Sequence, residues 1–117
     1  MIVIGITGSI GMGKTTIAQM LKRFNIPVFD SDKEVKDILE NNNLVKDQLH
    51  QLWPDVILTQ VNEKKIDKKL LSIKIFTDRK NRKTLENILH PLVHKRRDAF
   101  IKSEDKSFII ALDVPLL

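Results

Sequence analysis

Hydrophobic and polar positions alternate in rhythm along this chain, and the changes of rhythm mark its elements. Ile2-Val3-Ile4-Gly5-Ile6 is a short β-branched run that predicts a buried strand. From Thr15 to Phe24, apolar residues at Ile17, Met20, Leu21 and Phe24 follow the spacing of one helical face. Pro27-Val28-Phe29-Asp30 predicts a second short strand. A helix then opens at Asp30-Ser31-Asp32, each a candidate N-cap, with Val35, Ile38 and Leu39 on its apolar side. Asn41-Asn42-Asn43 breaks it, and Leu44 to Leu52 is helical again. Pro54 to Lys65 is polar and reads as irregular, anchored by Val56, Ile57 and Leu58.

Beyond that point Asp67 predicts a cap for a helix carrying Leu70, Leu71, Ile73 and Ile75. Asp78 predicts a cap for the next, with Leu85, Ile88 and Leu89 on one face. Pro91 suits the first turn of a further helix bearing Leu92, Val93, Phe100 and Ile101. Ile109-Ile110-Ala111-Leu112 is continuously apolar, as in a central parallel strand. Strand, helix, strand, helical block, strand is an α/β order. It predicts one domain over 1–117 with a helical lobe over 33–105 inserted between the second and third strands. An insertion at the carboxyl end of such a sheet is a natural lobe for an acceptor substrate.

The sharpest chemical signal lies between the first strand and the first helix. All four glycines fall in the first thirteen residues. Gly8-Ser9-Ile10-Gly11-Met12-Gly13-Lys14-Thr15 is a complete G-x-x-x-x-G-K-[ST] phosphate-binding loop. Glycine leaves no Cβ between backbone and phosphate. Backbone N–H groups from Gly11 through Met12, Gly13 and Lys14 to Thr16 are expected to form an anion nest that runs into a helix N-terminus. Lys14 is expected to reach the β- and γ-phosphates, Thr15 to ligate Mg²⁺, and Thr16 to add a phosphate contact. The glycines do not fall as G-x-G-x-x-G, so a dinucleotide fold is excluded. No N-K-x-D segment is present, which argues against a guanine-specific switch.

Three further groups suit phosphoryl transfer. Asp113 closes the last apolar strand, where a carboxylate could hold Mg²⁺ or simply end the strand. Asp30 and Asp32 stand at the carboxyl end of the second strand, where one could orient an acceptor hydroxyl and take its proton. Helix capping is the plainer role for both, and periodicity does not choose between them. His50, His90 and His94 have no metal-ligand spacing; with Pro91 opening a new helix, His90 and His94 need not share a face.

Composition narrows the rest. With no cysteine there is no disulfide, thiol chemistry or cysteine-based zinc site. No apolar run approaches a membrane span, and the first strand leads straight into the loop instead of a secretory signal, so the expectation is a soluble cytoplasmic protein. The net charge of +5 comes from the segment between Glu63 and Lys106. One tryptophan and no tyrosine offer no stacking platform for single strands. Solvated helix faces explain these lysines better than nucleic acid does. Oligomeric state has no signal in the sequence.

Taken together, the residues resemble the dephospho-coenzyme A kinase family. The likeness rests on Ile4 through Thr15, on Pro27-Val28-Phe29-Asp30-Ser31-Asp32, and on Ile66-Asp67-Lys68-Lys69-Leu70. It continues through Phe76-Thr77-Asp78 and Leu85-Glu86-Asn87-Ile88-Leu89-His90-Pro91-Leu92, and closes at Asp113-Val114-Pro115-Leu116-Leu117. The resemblance implies a P-loop nucleotide-kinase fold and ATP-dependent phosphorylation of the 3′-hydroxyl of dephospho-CoA, with ATP and Mg²⁺. It implies Asp32 as base or orienting group, Asp30 as a second contact, and acceptor binding around His90. Lys36 and Lys68 stand where the family often has His or Arg and Arg, and Lys68 lacks bidentate phosphate geometry. Family members run to roughly two hundred residues, an ordinary domain size. The resemblance therefore implies an N-terminal part, with the last strands, the adenine pocket and the lid beyond Leu117 and the first strand at a sheet edge. Another nucleotide kinase, or a nucleotide-binding remnant without transfer, are the alternatives.

Overall fold

The computed structural model describes the backbone of residues 1–6, 12–60 and 63–113, and their side chains apart from 12–16, 18, 60 and 113. The chain forms two compact units, one of residues 1–33 with 94–117 and one of residues 34–93.

The first unit is built on a three-stranded parallel sheet in the order β1-β5-β2, from Ile2–Ile6, Ile109–Asp113 and Val28–Phe29. Parallel strands are joined by crossovers, and the one from β1 to β2 contains α1, Met12–Arg23. β5 is central, and its Ile110 and Ala111 are fully buried. β2 is held by Phe29, 3% exposed, whose ring lies 5.5 Å from that of Phe100. β1 departs from the expected buried strand. It forms an edge: Ile2, Val3 and Ile4 are 37–50% exposed and only Ile6 is buried. Ile17 and Met20 of α1, and Phe24 just after it, are exposed too, so the apolar stripe is real but uncovered. The Ile2 N–H donates to the Phe108 carbonyl at 2.8 Å. Alternation along a parallel ladder then turns the peptide groups of Val3 and Gly5 to the open side.

α1 stops through a two-bond C-terminal motif. The Asn25 N–H donates to the Lys22 carbonyl and the Ile26 N–H to the Leu21 carbonyl, both at 3.0 Å. Asn25 sits at φ 58°, a left-handed value that asparagine tolerates.

The second unit packs helices around a closed core. α2 is Ser31–Asn41, α3 Asn43–Leu52, α4 Lys68–Thr77 and α5 Arg79–Ser103. The unit boundaries fall inside α2 and α5. Ile38, Val45, Leu49, Val56 and Leu71 are 0–4% exposed, joined by Trp53, Leu85 and Leu89. Caps explain the starts. Asp67 accepts from the Lys69 and Leu70 N–H groups, Asp78 from that of Lys80, and Asn42 from that of Val45.

Two elements differ from expectation. Pro54 to Lys65 is not irregular: after a short helical turn, Pro54–Val56, it forms a hairpin of β3, Ile57–Gln60, and β4, Glu63–Ile66. Only the Ile57↔Ile66 pair is apolar on both sides, so the alternation is too short to read. Pro91 does not open a helix; it lies inside the single helix α5. Proline interrupts only the bond to residue i−4, and the helix runs on past it. At a spacing of four, His90 and His94 therefore fall on one face of α5.

Candidate functional site

Parallel strands end on the same side of a sheet, and three chemical candidates follow from that in the first unit. Ile6, the last residue of β1, pairs with Asp113, the last residue of β5. Phe29, the last residue of β2, pairs with Leu112. One residue further, Asp30 comes level with Asp113. The rim therefore runs from Ile6, through Asp113, to Asp30 and the first turn of α2, where Asp32 sits.

Gly8 and Gly11 lie outside the described residues. Met12, Gly13, Lys14, Thr15 and Thr16 form the first turns of α1, whose leading N–H groups have no intrahelical partner. No acidic residue occupies that first turn. Asp30 accepts the Lys33 N–H at 3.2 Å and so caps α2. Asp32 is exposed within the same first turn. The cap is thus carried by Asp30, and Asp32 follows two residues later. Asp113 is placed by its backbone at the end of the central strand. His90 belongs to the other unit, exposed on α5.

Four of the basic residues meet acids. Lys64 meets Asp47 at 2.7 Å, Lys68 meets Glu40 at 2.7 Å, Lys74 meets Asp55 at 3.0 Å and Arg82 meets Glu86 at 3.6 Å. The Lys68 hydrogen bond, reinforced by its charge, holds the Glu40 carboxyl below its ordinary value of 4.5. Lys46 gave no signal in the sequence, yet it is only 7% exposed on α3. Among the described residues no cluster of three metal-ligating side chains occurs, and no helix is long and apolar enough to cross a membrane.

Residues 2–117 match the family model described as dephospho-CoA kinase. A dephospho-CoA kinase of Nitrobacter winogradskyi is 40% identical over 119 residues, taking in all of this chain and 57% of that protein. One from Oceanobacillus iheyensis is 38% identical, over 99% of this chain and 58% of the relative. Among solved structures, dephospho-CoA kinase from Campylobacter jejuni superposes with a TM-score of 0.73 at 27% identity, covering 97% of this chain and 56% of that one. The chain spans a little over half the length of these relatives.

Proposed function

The chain belongs to the dephospho-CoA kinase family, and from that premise we propose that it carries the phosphate-binding and acceptor-orienting parts of an enzyme that phosphorylates the 3′-hydroxyl of dephospho-CoA with ATP. The observation that supports this reading is the shared rim: β1, β5 and β2 are parallel and in register at Ile6–Asp113 and Phe29–Leu112.

In this reading the loop amides from Gly8 to Gly13 and the start of α1 hold the polyphosphate, with Lys14 as a point charge on the β- and γ-phosphates and Thr16 as a further contact. The acceptor oxygen attacks the γ-phosphorus while the bond to the ADP oxygen breaks. Asp32 orients the hydroxyl and takes its proton. Asp30 holds the turn that presents Asp32, and lies close enough in sequence to touch the acceptor ribose. His90 contributes to acceptor binding from the 34–93 unit, which acts as the acceptor lobe. Thr15 and Asp113 are the residues that would hold Mg²⁺. A hydroxyl and a carboxylate are the oxygen donors that this hard cation prefers; Asp113 ends β5, and Thr15 stands in the first turn of α1. When bound, the ion neutralises phosphate charge. The reaction belongs in the cytoplasm, beside the ATP pool.

Coupled ADP release with dephospho-CoA as acceptor tests the reading. Asp32→Asn is expected to lower turnover by about 10²- to 10⁴-fold, with nucleotide affinity retained. Equal turnover of the two forms removes Asp32 from the chemistry. A second reading is that this chain binds nucleotide without transferring phosphate. Calorimetric ATP binding with no ADP formed would establish it.

A further inference from the structure

The 34–93 unit holds a cleft of about 340 Å³ between α2, α3, β4 and the start of α4. Its walls carry three lysines, Lys46, Lys65 and Lys68, and two carboxylates, Glu40 and Glu63. Leu39 and Ile66 supply an apolar side. Lys68 and Glu40 already engage each other at 2.7 Å. Lys46 is different. It is more than nine-tenths buried, it lines the cleft, and it has no side-chain hydrogen bond or ion pair among the described residues.

A buried ammonium without a partner is costly, and lysine is almost never buried unless paired. Lys46 is also not the helix's spare charge: its neighbour Asp47 is taken by Lys64. The cleft therefore has one cation in excess, and a buried lysine forms part of its wall. We propose that it binds the phosphate group of a small organic phosphate, anchored by Lys46. Three ammonium groups suit a tetrahedral oxyanion, which accepts from several directions at once. The volume exceeds what a phosphate alone fills, and Leu39 with Ile66 gives the organic part a surface to cover. The exposed Lys68–Glu40 pair is weak enough to open, so that Lys68 can turn to the ligand. Glu63 faces the same space and sets a limit: a ligand with more than one phosphate meets its repulsion. All of these residues lie in the 34–93 unit, so the proposal stands apart from ATP binding at the glycine loop.

Amide chemical-shift titration of the whole ¹⁵N-labelled chain tests it, at constant ionic strength with chloride as the balancing anion. Inorganic phosphate and phenyl phosphate are the two probes. Phenyl phosphate is expected to shift the amides of Leu39, Lys46, Ile66 and Lys68 saturably, at least about tenfold more tightly than inorganic phosphate. Lys46→Met is expected to weaken that binding by about tenfold or more while raising the melting temperature, because a buried charge is gone. A structural lysine would show the opposite pairing of effects. Lys65→Met, on the hairpin, gives a second route should the first variant fold poorly, and Lys69→Met, outside the cleft, is the control. Equal affinity for both probes would assign the site to free phosphate. Shifts confined to residues 8–16, or cleft shifts that persist unchanged in Lys46→Met, overturn the proposal.

Discussion

The two units enclose their apolar residues to different degrees, although the 34–93 unit also leaves Leu44, Ile73 and Phe76 exposed. In the 34–93 unit, Ile38, Leu49 and Val56 are fully buried, and residues from every helix of that unit meet there. In the sheet unit, Ile110 and Ala111 are equally buried, but Ile2, Val3, Ile17 and Met20 stand about half exposed and Phe24 and Phe108 about three-quarters. Both units carry clear apolar periodicity. Periodicity therefore reports which side of an element seeks cover; it does not report whether this chain supplies the cover. The sheet unit is where the proposed chemistry sits, and it is the less enclosed of the two.

Paired truncations put that contrast to the test. Leu49→Ala is expected to destabilise the chain by about 2–5 kcal/mol, because the surrounding core cannot collapse fully onto the space left. Ile17→Ala, on the exposed stripe of α1, is expected to change stability by less than about 0.5 kcal/mol. Urea denaturation of both variants measures the difference, and similar losses would mean that the α1 stripe is covered in solution. Next in size is the cap of α4. Asp67→Ala removes an acceptor shared by the Lys69 and Leu70 N–H groups, and is expected to cost about 1 kcal/mol in the same assay. Asp67→Asn should lose much less.

The smallest effect is electrostatic. Lys68 depresses the Glu40 pKa, so the pair's contribution is present above the ordinary glutamate value and fades as pH falls through the lowered one. Lys68→Met should return the Glu40 midpoint, followed by carboxylate ¹³C shifts, to the ordinary range and flatten the stability profile on the acid side. An unchanged midpoint would assign the depression to some other cation. Both side chains are more than half exposed, so the stability change should be slight.

Much of this organisation was legible from residue order. The parallel sheet follows from two apolar runs separated by helical rhythm, and the caps at Asp67 and Asp78 from single acids placed before apolar turns. The phosphate-loop expectation rests on glycine spacing, and Gly8 and Gly11 lie outside the described residues. What stayed hidden depends on neighbours. The β3–β4 hairpin exposes Thr59 and Lys64, so its sequence is too polar to look like a strand. Pro91 carries no mark that distinguishes a first turn from a helix interior, since the effect of a missing N–H depends on what surrounds it. Lys46 looked like any surface lysine, because burial of a charge is decided by elements distant in sequence.

The left-handed turn at Asn25 has a consequence for the carboxylates. It reverses the heading of the chain at the end of α1 and delivers it, within a few residues, into β2 and then Asp30. The placement of the acidic rim is thereby governed by the handedness of one remote peptide. Glycine there would keep the bearing unchanged, whereas isoleucine, which resists that handedness by roughly 1–2 kcal/mol, would send the strand off course without touching any residue of the rim itself.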